Sequence, residues 1–225
     1  MIDEEFLLAA STADLADEPA ARNHADVVEF RLDLADDGLS QLEGYDGDLP
    51  LLVTNRVEWE GGAAADTQAR LDALERAVGL DAVVGIDVEL DAVEAGDAHP
   101  LVDAARDAGV AVVVSTHDFD GTPDEEQLRS LLTAACEAGD VGKLAVTARD
   151  RADVLDLLAV THSLHTDGLT VATMAMGAPG RHSRAVAPLY GSKLGYAPVD
   201  PAAATAPGQY DLETLRSLVS RLQDE

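Results

Sequence analysis

Basic residues are scarce in this chain, and lysine is almost missing. Its 225 residues include 15 lysines and arginines against 43 aspartates and glutamates, which gives a formal net charge of −28. Only Lys143 and Lys193 are lysines. Phosphate and anionic lipid recognition need clustered basic side chains, so this composition argues against nucleic-acid and membrane partners. Salt screens the repulsion within so acidic a chain, and we interpret the charge as an adaptation to a salt-rich cytosol.

Two further absences narrow the class of protein. The single cysteine, Cys136, excludes an intramolecular disulfide, and its helix-like surroundings favour a small buried side chain over a nucleophile. No apolar run approaches the roughly 20 residues of a membrane span, and the acidic beginning of the sequence lacks the features of a signal peptide. We therefore expect a soluble, cytoplasmic protein.

Short apolar segments rich in β-branched residues alternate with segments of helical periodicity, which is typical of strand–helix units. The predicted strands are 5–11, 27–34, 49–56, 82–90, 110–116, 141–148, 169–176 and 193–199. Units of roughly 28 residues fit a compact (β/α)8 barrel. We predict one α/β TIM-barrel domain spanning residues 1–225, with its weakest helix around 39–45. A doubly wound sheet is the alternative, although no G-x-G-x-x-G motif follows the first strand.

Lys143 is the most informative residue, because it lies alone in the apolar run of residues 141–146. A buried ammonium is so costly that such a lysine usually pairs, loses its proton or reacts. A neutral, desolvated lysine is the nucleophile that forms a Schiff base with a ketone or aldehyde. The alternative is a lysine whose stem packs inside while its ammonium reaches solvent at the strand end.

Polar residues recur at the carboxyl ends of the predicted strands, where barrel enzymes have their active sites. Glu29, Arg31 and Asp33 alternate along the second strand and so share one face. They either bind a ligand or form an internal ionic network. His117 ends the strand before that of Lys143, and an ordinary pKa near 6.5 suits it to proton transfer, although a lone histidine can also be structural.

The basic residues concentrate at the same end of the predicted barrel, which favours a small anionic, polyhydroxylated substrate. This set consists of Arg31, Arg56, Lys143 and Arg184. The loop after the last strand reads Thr-Ala-Pro-Gly-Gln at 205–209 and can present a hydroxyl, an amide and backbone N–H groups.

Seven segments occur in the order and spacing of type I 3-dehydroquinate dehydratases, and the chain resembles this family from Glu29 to Gln209. They are EFRLD at 29–33, TNRVEWEGG at 54–62, DVEL at 87–90, STHDF at 115–119, GKLAV at 142–146, MG with SR within 176–184, and ATAPGQ at 204–209. The resemblance implies a Schiff-base lyase of the shikimate pathway that converts 3-dehydroquinate to 3-dehydroshikimate. It also implies a homodimer, with no metal and no organic cofactor.

The resemblance assigns a role to each matching residue. Lys143 corresponds to the imine-forming lysine, His117 to the general acid–base and Glu60 to the carboxylate that orients this histidine. The implied substrate-binding residues are Glu29, Arg31 and Arg56 around the ring hydroxyls, Arg184 at the carboxylate, and Thr205 and Gln209 in the closing loop. Thr205 stands where the family commonly has serine, and Asn55 departs from the usual apolar residue or cysteine. We expect the second change to alter packing more than mechanism.

Two other functions are compatible with parts of the pattern. A class I aldolase-type barrel would use the same lysine, but it needs a glycine-rich phosphate cradle after strands seven and eight. The seventh loop offers Gly177 and Gly180 together with Arg184, and the eighth loop differs from such a cradle. A non-catalytic ligand-binding barrel does not explain why Lys143 and His117 occur together.

The charge interpretation predicts that salt stabilises the fold. The melting temperature should rise between low and molar KCl, because added ions screen the repulsion among the acidic residues. Circular dichroism melts across a KCl series measure this rise. A melting temperature that stays constant or falls over the series would contradict the interpretation.

Overall fold

Eight parallel strands form the centre of the fold in the computed structural model, which describes residues 5–200, 202 and 208–223. Sequential strands pair in parallel from β1 to β7, with a register shift between Leu51 and Leu52 where β3 meets β4, and β8 pairs with β1. At the remaining seam, a bridge joins Val171 and Ser192, and the Lys193 N–H donates to the Val171 carbonyl at 2.8 Å. The strands are β1 Leu7–Thr12, β2 Val27–Arg31, β3 Leu51–Thr54, β4 Val83–Glu89, β5 Ala111–Asp118, β6 Val141–Thr147, β7 Val171–Met176 and β8 Leu194–Pro198. The predicted (β/α)8 barrel is confirmed.

Helices connect the strands and cover the outside of the barrel. They are α1 Glu18–Ala21, α2 Gly38–Glu43, α3 Gln68–Val78, α4 Leu90–Glu94, α5 His99–Ala108, α6 Glu125–Ala138, α7 Arg151–Thr166, α8 Gly177–Gly180, α9 Ser183–Val186 and α10 Leu212–Gln223. The second helix is short, as its glycine-interrupted sequence predicted. Among the described residues, no helix has both the length and the apolar character needed to cross a membrane.

The alternation of side chains along β6 explains how the barrel positions the site. Leu144 and Val146 point outwards and pack in the core formed with α6 and α7. Val141 and Ala145 belong instead to the cluster that fills the barrel interior. Since successive side chains of a strand face opposite sides, Lys143 lies between these two on the inner face. Lys143 therefore lies at the boundary between the apolar interior of the barrel and the polar pocket.

Several strands are shorter than predicted, and one difference changes an inference about the site. The second strand ends at Arg31 rather than continuing to residue 34. Asp33 therefore does not extend the strand face, and the predicted row of three charges on one strand is wrong. The chain bends after the strand, where the Leu34 N–H donates to the Arg31 carbonyl at 3.0 Å. The Asp33 carboxylate therefore turns back and accepts hydrogen bonds from the Arg31 guanidinium.

Candidate active site

A pocket of about 590 Å³, including its open mouth, lies at the carboxyl ends of the strands. The predicted site residues that line it are Glu29, Arg31, Arg56, Glu60, His117, Lys143, Arg184 and Gln209. Thr205 lies outside the described residues. The barrel thus brings together side chains that are up to 180 positions apart in the chain, as Glu29 and Gln209 illustrate.

Lys143 is buried, with 5% of its surface exposed, and its ammonium does not reach solvent at the strand end. The Lys143 Nζ donates to Asp87 Oδ2 at 2.9 Å. It also lies 4.4 Å from the centre of the Tyr196 ring, within the range of a cation–π contact. A carboxylate and an aromatic face therefore fix the direction of the amine.

Asp87 connects the lysine to a second cation. Its Oδ1 accepts hydrogen bonds from Arg56 Nη2 at 2.5 Å and from Ser115 Oγ at 2.7 Å. Burial alone would raise the pKa of Asp87, but Arg56, Lys143 and the Ser115 hydroxyl together hold it below its usual value. The carboxylate therefore stays ionised while it holds Lys143.

Arg56 lies just after β3 and is the cation that the carboxylates of the site share. Its Nη1 lies 3.2 Å from Glu60 Oε2 and 3.1 Å from Glu89 Oε1, in addition to the Asp87 contact. Glu89 is also held by Arg70, which reaches in from α3 with 2.6 Å between Nη1 and Oε2. Burial opposes the charge on Arg56, but these three carboxylates raise its pKa. Each buried charge in this network has an opposite partner, as buried ions require.

Glu60 and His117 form a second functional pair, with Nδ1 and Oε2 2.9 Å apart. Burial raises the pKa of Glu60 from its ordinary 4.5 to about 8, although Arg56 opposes the shift. Burial, with help from Arg56 and Lys143, lowers the pKa of His117 well below 6.5. At neutral pH the pair therefore holds a carboxyl proton and a neutral imidazole.

Loss of one proton changes what this pair can do. With Glu60 protonated, its carboxyl donates to His117 Nδ1, and the proton of the imidazole is on Nε2. With Glu60 ionised, Nδ1 carries the ring proton and Nε2 is free to accept one. The Phe119 ring stacks on the imidazole at 6.0 Å between centroids and restrains its plane. The geometry therefore suits a group that both gives and takes a proton near neutral pH.

The charges on β2 do not form one continuous network. Arg31 donates to both carboxylate oxygens of Asp33, at 2.9 and 2.7 Å. Glu29 accepts hydrogen bonds from hydroxyls, from Thr54 Oγ1 at 2.9 Å and from Ser11 Oγ. Both strand residues line the pocket, so the arrangement combines an internal ion pair with groups that face a ligand.

Arg184 differs from the other buried arginines of the site. It is 4% exposed, and its Nη1 contacts the Met174 sulfur at 3.9 Å. Its Nε and Nη2 have no hydrogen-bond partner among the described residues. Burial lowers the pKa of Arg184 to about 10, which still leaves it charged at neutral pH. The pocket therefore has a guanidinium available for an anion.

Gln209 lines the pocket next to Gly208, whose backbone closely approaches Gly177 at the end of β7. Gly208 has φ of +83°, and a Cβ at this position would lie 2.7 Å from the Gly177 carbonyl oxygen. Only glycine fits such a place without strain. After Gln209, the Tyr210 ring lies under the Arg181 guanidinium at 4.1 Å from Arg181 Cζ. These contacts position Gln209 at the pocket.

Sequence reasoning missed several residues that shape the site. Asp87 and Glu89 were visible as acids spaced two apart at the end of a strand, and that signal was sufficient to suspect them. Arg70 lies on a helix and Tyr196 in an apolar strand, so neither had a signal in the sequence. Asn55 does not line the pocket, and its amide donates to the Arg70 carbonyl at 3.0 Å.

The fold and the pocket define the class of this protein as a (β/α)8-barrel enzyme whose site is built around a buried lysine. Within that class, the family model described as Type I 3-dehydroquinase matches residues 7–225. The chain therefore belongs to the type I 3-dehydroquinase family, whose members are hydro-lyases.

Relatives and solved structures agree with this membership. The 3-dehydroquinate dehydratase of Haloarcula marismortui is 61% identical over 225 residues, 99% of this chain and 98% of that protein. That of Halobacterium salinarum is 55% identical over 98% of this chain and 99% of its own length. The crystal structure of the Geobacillus kaustophilus enzyme superposes with a TM-score of 0.86 at 29% identity, covering 98% of this chain and 92% of that one. The type I enzyme of Clostridium difficile, solved with covalently modified comenic acid, gives 0.83 at 27% identity, covering 99% and 94%.

The raised pKa of Glu60 predicts how stability depends on pH. A carboxyl whose pKa is raised from 4.5 to about 8 stabilises the fold fully below pH 4.5 and loses this contribution as the pH rises through 8. Between about pH 5 and 8, the wild-type free energy of unfolding should fall more steeply than that of Glu60→Gln, which cannot ionise, and above about pH 8 the two curves should run parallel. Urea denaturation in molar KCl measures both slopes.

Glu58→Gln is the matched control, because Glu58 lies on the same turn but is exposed. Its slope should equal that of the wild type. Parallel curves for Glu60→Gln and the wild type would contradict the assignment of the titration to Glu60.

Proposed function

We propose that this pocket dehydrates 3-dehydroquinate to 3-dehydroshikimate through a covalent imine on Lys143. The observation that carries the proposal is the direction of the Lys143 amine, which lines the pocket at 2.9 Å from Asp87. Membership of the family supplies the reaction and removes the aldolase-type and non-catalytic alternatives.

The free charges and hydroxyl-binding groups of the pocket match this substrate. The substrate is a carboxylate with ring hydroxyls and a ketone. Arg184, which has no acidic partner among the residues described, suits the carboxylate, since guanidinium and carboxylate form paired hydrogen bonds. Glu29 and Arg31 line the pocket and in the proposal hold the ring hydroxyls, while Gln209 contributes an amide. In the proposal Thr205 closes the site together with Gln209.

Imine formation needs both members of the proton-transfer pair. Lys143 Nζ, in its neutral form, attacks the C3 carbonyl carbon, and the alkoxide so formed takes the proton that the attacking nitrogen loses, which gives a carbinolamine. The Nε2–H of His117 then protonates the carbinolamine hydroxyl, which leaves as water and generates a protonated imine. Glu60 supports this proton transfer from His117, because the Glu60 carboxyl proton is shared with Nδ1 of the same ring.

Elimination follows from the electron demand of the imine. The protonated imine withdraws electrons from C2, so His117 Nε2 can remove a C2 proton and leave an enamine. The imidazolium so formed donates this proton to the C1 hydroxyl, which leaves as water. Hydrolysis of the imine releases 3-dehydroshikimate and restores Lys143. Positioned proton transfer of this kind contributes a factor of about 10²–10⁴, and no metal or organic cofactor is required.

The proposal extends to the setting in which the enzyme works. A homodimer is included on the strength of the family resemblance. A cytoplasmic location, without nucleic-acid or membrane partners, agrees with the net charge of −28. The small-molecule substrate is then the partner that the pocket recognises.

The test is to trap the imine chemically. Borohydride added during turnover of 3-dehydroquinate should reduce the imine and increase the intact mass by that of a dehydrated, reduced adduct. Peptide mapping should place the adduct on Lys143. Lys143→Ala should abolish both the adduct and turnover, because no other nucleophile lies at that position. His117→Ala should slow imine formation and release, so that trapped intermediate accumulates.

Lys193→Ala is the matched control, since Lys193 is the other lysine of the chain and lies just before β8. It should retain both the adduct and the rate. An adduct on Lys193, or turnover by wild type without any trapped adduct, would contradict the proposal.

A further inference from the structure

Arg184 is exceptional among the buried arginines that the structure describes, because no carboxylate contacts it. Arg31, Arg56 and Arg70 each have a carboxylate oxygen within 2.7 Å. Within the part of the chain that the structure describes, the Arg184 guanidinium contacts the Met174 sulfur at 3.9 Å, and its Nε and Nη2 have no hydrogen-bond partner. A buried charge without a counter-ion is strongly unfavourable.

The surroundings of Arg184 do not remove this charge. Burial lowers its pKa only to about 10, so the guanidinium is ionised at neutral pH. The side chain lines both the main pocket and a smaller cavity of about 210 Å³ next to it. Aliphatic, aromatic and sulfur-bearing residues form much of that smaller cavity, including Phe6, Met174 and Leu194. A positive charge in such a space attracts an anion from solution.

We propose that Arg184 binds a single weakly hydrated halide ion, chloride under ordinary salt conditions, whenever the substrate is absent. The inference rests on the proposed function, in which the same guanidinium takes the substrate carboxylate. Chloride and substrate then exclude each other at Arg184, and the ion leaves when the carboxylate enters. The salt-rich setting indicated by the net charge of −28 would keep this position occupied.

A halide suits the position better than a multiply charged anion does. A multiply charged anion is repelled more strongly by a protein of net charge −28. A monovalent ion with weakly held water enters an apolar-lined space at smaller desolvation cost than fluoride does. The expected order of binding is therefore bromide, then chloride, then fluoride.

Direct binding is tested with bromide as the probe. Wild-type crystals grown in molar bromide should show an anomalous scattering peak within about 3.5 Å of the Arg184 guanidinium. The peak should be absent in Arg184→Gln and present in Arg221→Gln, which removes an exposed arginine at the end of α10. Absence of the peak in wild-type crystals, or its persistence in Arg184→Gln, would overturn the inference.

Competition is tested by initial rates in potassium fluoride, chloride and bromide at one concentration of about 1 M, which holds ionic strength constant. KM should rise in that order, by about threefold or more from fluoride to bromide, while kcat changes by less than about twofold. Arg221→Gln should keep this order, and Arg184→Gln should have the same KM in all three salts. Equal KM values in the wild type would overturn the inference.

The two proposals fail separately. An imine trapped on Lys143 without bromide at Arg184 leaves the proposed function intact and removes only the halide site. Bromide at Arg184 without any trapped imine supports the halide site and contradicts the proposed function, because anion binding in the crystal needs no turnover.

Discussion

The ion pair between Lys143 and Asp87 is the interaction on which the rest of the site depends. The two residues belong to β6 and β4, with β5 between them, and the amine reaches across to its partner at 2.9 Å. Ser115 lies on the intervening strand, and its small side chain donates to the same carboxylate. Because Asp87 also holds Arg56, the direction of the nucleophile is tied to the cation that the other carboxylates share.

Compensation of buried charge explains the composition of the site. The surface of the barrel is strongly acidic, yet inside the mouth Arg56 and Arg70 face Asp87, Glu60 and Glu89 at hydrogen-bonding distance. Arginine can serve in all these pairs, since they need only a permanent cation. Lysine is kept at position 143, where a nucleophile is proposed, because arginine remains protonated and cannot attack a ketone. Arg184 is left without a carboxylate partner among the described residues, at the position where the substrate carboxylate would supply one.

Much of the fold and part of the site follow from the sequence by physical reasoning. The apolar strands predicted the barrel, and the isolation of Lys143 in one of them left open whether its amine is buried or reaches solvent, which the structure decides in favour of burial. The contact of His117 with Glu60 joins residues 57 positions apart, and spacing alone gives no indication of it. That pair came from the family resemblance. Arg70 resembled an ordinary helix arginine, since a helix sequence does not say which residue will reach into a neighbouring strand end.

The most direct test of this account is the rate of imine formation in Asp87→Asn. Rapid mixing with 3-dehydroquinate, a borohydride quench and intact mass would follow the single turnover, with Ser115→Ala as a control that touches the same carboxylate. If the Asp87 carboxylate directs the amine, Asp87→Asn should form imine at least about tenfold more slowly, while Ser115→Ala stays within about threefold of the wild type. An Asp87→Asn variant that keeps the native fold and forms imine at the wild-type rate would contradict the account.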